Sequence, residues 1–120
     1  MKVIIAGGRD YHLTESDYIK LNMLDITEVV SGGAKGVDAS GEHWADIHNI
    51  SVKAFKADWK QYGRAAGPIR NKKMAIYADA VVLFPGGKGT ESMHNLAVQQ
   101  GIRVFDFRQQ KANLLRKKFC

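Results

Sequence analysis

The chain has 120 residues, 45% hydrophobic and 25% charged, with a formal charge of +6. That length supports one domain with a real core and excludes two comfortable ones. The single cysteine, Cys120, excludes an internal disulfide and a cysteine cluster for zinc, and reads as a bystander in a reducing compartment.

No apolar run approaches the ~20 residues of a membrane span, and the chain opens on a strand-like segment instead of a basic and apolar signal, so a soluble, cytoplasmic protein is expected. The positive charge is uneven. Five of the 18 basic residues (Arg108, Lys111, Arg116, Lys117, Lys118) fall in the last thirteen positions with no acid among them, which leaves 13 against 12 acidic residues in the body. The division is thus a domain over residues 1–107 and a basic tail over 108–120. The tail reads as a solvated end or as a contact for an acidic partner.

In chain order, "KVIIA" (2 to 6) predicts a strand, and "AGGRD" after it supplies Gly7, Gly8, Arg9 and Asp10. Arg9 could reach a phosphate or Asp10 a ribose hydroxyl, or the two could form a surface pair. "TESDYIKLNMLD" predicts a helix with Thr14 as N-cap and apolar positions at Tyr18, Leu21 and Met23 or Leu24. A second strand, "ITEVVS" (26 to 31), runs into "SGGAKG" with Gly32, Gly33, Lys35 and Gly36. The next helix carries Asp38 near its start and Val37, Trp44, Ala45 and Ile47 as inward positions.

"SVKAF" (51 to 55) predicts the third strand, and "KADWKQYGRAAGP" a loop into the following helix, whose apolar positions are Ile69, Met74 and Tyr77. Trp59 and Tyr62 in that loop could stack on a base or pack the loop down. "DAVVLF" (79 to 84) predicts a strand buried on both sides, followed by the turn "PGGKGT" (Pro85, Gly86, Gly87, Lys88, Gly89, Thr90) and a helix that Gly101 would cap. "IRVFDF" (102 to 107) predicts the fifth strand. Strands alternating with helices predict an α/β, three-layer, Rossmann-like fold, with a mostly parallel five-stranded sheet and helices on both faces.

Glycine turns follow three of these strands. In an open parallel sheet they converge at one edge, where bare backbone and helix N-termini favour an anion. Lys35 and Lys88, each within a glycine turn, are better candidates for a phosphate contact than the tail lysines, or each could simply face solvent. "PGGKGT" lacks the Walker spacing and no segment shows the full G-x-G-x-x-G, which disfavours a P-loop nucleotidase and an ordinary dinucleotide dehydrogenase. His12, His43, His48 and His94 show no metal-ligand spacing, so no metal site is expected, and no serine sits in a nucleophile elbow.

Together "SGGAKGVD", "ADWKQYGRAAGPIRNKKM" and "DAVVLFPGGKGTESM" resemble the SLOG superfamily, which groups lonely-guy phosphoribohydrolases with the Rossmann domain of DNA-processing protein A; the small YspA-related members are most similar. The resemblance spans Lys2 to Phe107. It implies a nucleotide, nucleoside monophosphate or ADP-ribose-type ligand, no further cofactor, and self-association, commonly as dimers. Carried over, the glycines of "PGGKGT" and Thr90 would wrap a phosphate, Gly32, Gly33 and Gly36 would shape the facing loop, and Asp38 would lie near the ligand. Arg70 takes the place of an arginine that serves the catalytic site in the hydrolases, and Asn71 replaces the lysine after it.

The glycine motif departs from the hydrolases at its end, where Met93 stands in place of the catalytic glutamate. Methionine can neither stabilise an oxocarbenium-like state nor activate water. Glu91 lies two residues earlier, about 200° around the helix, and reads equally as an acid stabilised by the helix dipole; Asp38 could substitute from the facing loop. Three functions therefore stand: a binder acting as sensor or processor of a nucleotide-derived ligand, a hydrolase releasing free base and ribose 5-phosphate, and a nucleic-acid-binding module using the tail with Lys72 and Lys73.

Overall fold

The apolar stretch that opens the chain forms the middle strand of the sheet, β1 (Lys2–Ala6), in a computed structural model that describes residues 1–108. There follow α1 (Glu15–Asn22), β2 (Glu28–Ser31), α2 (Val37–Ile47), β3 (Ser51–Ala54), α3 (Trp59–Tyr62), α4 (Ala66–Tyr77), β4 (Ala80–Leu83), α5 (Lys88–Gln100) and β5 (Arg103–Asp106). The strands lie in the order β3-β2-β1-β4-β5, and all four pairings are parallel.

The alternation of strand side chains builds the three layers. Val3, Ile5, Val29 and Val82 meet Leu21 of α1 and Val37 and Trp44 of α2 on one face. Ile4, Val30, Val81 and Leu83 meet Met74 of α4 and Met93 and Ala97 of α5 on the other. β1 and β4 are buried on both faces, as their unbroken apolarity requires, and each fully buried Val, Leu or Ile there contributes roughly 1.5–3 kcal/mol.

α1 starts where Thr14 accepts from the Asp17 amide at 3.2 Å while the Asp17 carboxylate accepts from the Thr14 amide at 3.0 Å, a reciprocal capping box. Asp17 is buried at 5% exposure because it is fully engaged, taking a further bond from the Tyr11 hydroxyl at 2.6 Å. Burial opposes its ionisation, but the bonds from Tyr11 and Thr14 and the charge of Lys20 outweigh that and hold its carboxyl below the usual range. The phenol of Tyr11 is pushed up to about 12 by burial and by the Asp17 carboxylate. α5 ends as expected at Gly101, which adopts the left-handed conformation.

Two expectations give way. The stretch after β3 is not a plain loop. Asp58 accepts from the Gln61 amide at 3.1 Å and caps α3, and a 3-10 turn (Gly63–Ala65) leads into α4. Of the alternatives Met23 and Leu24, Leu24 packs against the core and Met23, the C-cap of α1, is 80% exposed; Ile47, the last residue of α2, is 62% exposed and does not face the core.

The strand order places the site. The chain lays β2 and β3 on one side of β1, then returns to place β4 and β5 on the other. The connections after β1 and β4 leave neighbouring strands toward opposite faces, which opens a crevice at their carboxyl ends.

Candidate functional site

A cleft of about 480 Å³ occupies that crevice. Gly7, Gly8 and Arg9 after β1 and Gly32, Ala34 and Asp38 after β2 form one wall, Arg70 and Asn71 of α4 a second, and Gly87, Lys88, Gly89 and Thr90 a third. Gly67, Pro68, Met74, Ser92 and Met93 complete the walls, and Ile4 and Ala6 from β1 also line it. The three glycine turns thus come together. The amides of residues 88–90, in the first turn of α5, have no partner within the helix and lie at the cleft edge.

Five of the expected ligand residues are absent from this lining: Gly33, Lys35, Gly36, Pro85 and Gly86. Lys35 is exposed on the surface. Gly33 bonds within its own turn, through its amide to Ser31, whereas Gly36, Pro85 and Gly86 hold the turns to one another. The Gly8 amide donates to the Pro85 carbonyl at 2.9 Å and the Val37 amide to the Gly8 carbonyl at 3.2 Å. Gly36 has φ +72° and lies so close to the carbonyls of Gly8 and Arg9 that a side chain there would overlap them. A side chain at Gly86 would strike the Thr90 hydroxyl and the Gly8 amide, and Thr90 itself is buried beneath the turn. Some of the glycines that suggest a cradle therefore build its frame.

Asp38 is the one carboxylic acid of the cleft lining. Its Oδ2 accepts from the Ala34 amide at 3.1 Å. Burial raises its pKa, and this outweighs the Ala34 bond and the nearby charges of Arg70 and Arg9; Glu42 adds to the rise. Glu42 escaped the sequence reading, although it follows Asp38 by one helical turn. It accepts from the Ser31 hydroxyl at 2.8 Å, and Ser31 in turn accepts from the Gly33 amide at 3.1 Å, which fixes the β2 turn.

Arg70 is largely committed to the protein. Nη1 donates to the Gly32 carbonyl at 2.7 Å and reaches the Phe55 carbonyl at 3.5 Å, and Nε donates to Asn71 Oδ1 at 2.8 Å. It therefore braces α4 against the ends of β2 and β3, with Nη2 outside these bonds.

Glu91 does not join the cleft. Its carboxylate pairs with Arg108 at 2.5 Å, and Arg108 also holds Asp106 at 2.8 Å. The Arg108 bonds hold the Asp106 carboxyl below its usual range. Arg108, counted with the basic tail, is tied to the domain in this way; residues 109–120, including Cys120 and the rest of the tail, lie outside the described residues. Met93 lines the cleft at 3% exposure, packed with Met74 and Leu83.

Trp59 and Tyr62 are 54% and 40% exposed; the Trp59 ring edge approaches Gly67 at the start of α4. His48 stacks on Trp44 at 4.7 Å, and His94 buries Nδ1 without a hydrogen-bond partner among the described residues. Among those residues no three His, Cys, Asp or Glu side chains gather as a metal would need, and no helix is long and apolar enough to cross a membrane.

Comparison with known proteins gives a family and a fold. The model of the YspA, cpYpsA-related SLOG family matches residues 1–62. The chain is 34% identical over 87 residues to the Gene 61 protein of Mycobacterium phage D29, covering 66% of this chain and 70% of that one. The X-ray structure of DNA processing protein A from Streptococcus pneumoniae is similar in fold, with a TM-score of 0.68 at 18% identity over 88% of this chain. The match takes in 49% of that protein, so the chain spans about half its length.

Proposed function

The chain belongs to the YspA, cpYpsA-related SLOG family, and on that premise we propose that it binds a nucleotide-derived ligand in the cleft, as its sensor or processor. A nucleoside monophosphate, ADP-ribose or an NAD-like molecule is the class intended. One observation carries the reading: Arg9, Arg70 and Lys88 line a single cleft with the first-turn amides of α5, and the lining's only carboxyl, Asp38, is drawn toward its neutral form by burial. The field inside the cleft favours an anion, and bare glycine backbone at Gly87 and Gly89 lets a phosphate approach.

Thermal unfolding of the full chain with AMP, ADP-ribose and NAD tests this. A ligand at 100 times its Kd should stabilise the protein by about 2.7 kcal/mol. Lys88→Glu should remove that stabilisation and leave the unliganded protein intact, since Lys88 is exposed. Failure of the whole panel to shift unfolding would refute the reading.

A second reading, hydrolysis of a nucleoside monophosphate, is favoured by one feature: the cleft that holds Met93 in the place of a carboxylate also presents Asp38 from the opposite wall. In that reaction a water oxygen bonds to C1′ and gives up a proton as the C1′–N bond breaks, and the departing base nitrogen takes one up; Asp38 is the lining carboxyl available for this exchange. Release of free base from AMP, lost in Asp38→Asn, would support it; stabilisation without turnover would leave the binder alone.

A further inference from the structure

Behind Arg70, on the side away from the glycine turns, a second pocket of about 250 Å³ opens between the end of β3, the start of α3 and the outer side of α4. Its lining is cationic. Lys53 comes from β3, Lys56 from the connection to α3, and Lys73 and Arg70 from α4, so separate elements converge their positive charge on one concavity. The only acid in the lining is Asp58, whose side chain is occupied as the cap of α3 through the Gln61 amide. Among the described residues, Lys53, Lys56 and Lys73 have no carboxylate partner within 4.0 Å. Four cations around one carboxylate leave the concavity with a net positive charge, and an anion seated there relieves it. Tyr62 and Phe55 add aromatic surface to the same rim.

Arg70 lines both cavities. We infer that the ligand of the glycine cleft carries a second anionic group, which passes Arg70 and is held by Lys53, Lys56 and Lys73. The chemical class is a nucleotide with two separated phosphates, such as a nucleoside bisphosphate or a dinucleotide, in place of a simple monophosphate. This inference rests on the cleft reading, and the second pocket supplies what that reading leaves open, the far end of the ligand.

Isothermal titration of the full chain with AMP, adenosine 3′,5′-bisphosphate and the dinucleotide pApA tests it, repeated on a Lys56→Ala, Lys73→Ala double variant. Both lysines are exposed, so the variant should fold, which circular dichroism checks. The expected result is at least one doubly phosphorylated ligand binding about tenfold or more tighter than AMP. That advantage should shrink with added salt and vanish in the variant, while AMP binds both proteins equally. Equal affinity of AMP and both larger ligands for the unaltered protein would overturn the second pocket and leave the cleft standing. Weakening of AMP in the variant to the same degree as the larger ligands would also overturn it. Failure of all three ligands to bind would overturn the second pocket, while the cleft reading would then be decided by ADP-ribose and NAD.

Discussion

Arg70 donates from α4 to the carbonyl of Gly32 at 2.7 Å, and so joins two walls of the cleft that are 38 residues apart in the chain. Arg70→Ala should lower unfolding stability by about 1–2 kcal/mol in urea denaturation, since it deprives a loop carbonyl of its charged donor. It should also weaken nucleotide binding. Arg70→Lys keeps the charge but loses the planar fork that serves Gly32, Phe55 and Asn71 at once, so it should recover only part of either loss.

Gly36 and Gly33 have nearly the same φ, +72° and +73°, but different surroundings. A side chain at Gly36 would overlap the carbonyls of Gly8 and Arg9, whereas one at Gly33 would meet nothing within 4 Å. Gly33→Ala should therefore cost about 1 kcal/mol, the strain of the left-handed backbone alone. Gly36→Ala should cost about 3 kcal/mol or more, because overlap adds to strain. Equal losses in chemical denaturation would contradict this account of the turn.

The Asp38 carboxyl is raised by burial, so the native state holds its proton more tightly than the unfolded chain does. Its contribution to stability is therefore unimpaired below the unfolded value of about 3.9 and falls as pH rises through the folded value. Asp38→Asn retains an oxygen for the Ala34 amide and removes the buried charge. Its melting temperature relative to the unaltered protein should thus increase between about pH 4 and pH 7. A difference that does not change with pH would contradict the assignment.

Asp17 behaves in the opposite sense. Its carboxyl is held low in the folded state, so the stability it brings is present above about pH 3.9 and is lost as pH falls through its folded value. Asp17→Asn should cost about 1–2 kcal/mol at neutral pH by weakening the bonds to Tyr11 and Thr14. The gap should narrow under acid, which urea titrations at several pH values would measure.

The layers were legible because apolar residues repeat at the period of the elements that bury them. Val3 and Ile5 against Ile4 already announce two covered faces. Thr14 and Gly101 mark helix ends by local chemistry alone, and both serve as read. α3 was hidden because a four-residue helix with no buried residue has no apolar period to display. In the site, convergence of the glycine turns followed from topology, but the separate duties of Gly36, Gly86 and Gly87 did not. These depend on what each backbone faces across the cleft, which one letter in a sequence cannot distinguish. The partners of Arg70 were hidden for a related reason, since Gly32 and Phe55 contribute carbonyls that every residue carries.

The pairing of β1 with β4 sets Val3 beside Ala80 and Ala6 beside Leu83. During synthesis β1 can gain β2 as a neighbour once residue 31 has left the ribosome, but its other flank stays open until residue 83 follows. That long-range ladder must close against a large loop entropy, so it should limit the folding rate. The crevice lies at this same junction, and a nascent chain therefore cannot form it until the strand that ends at residue 83 has been translated.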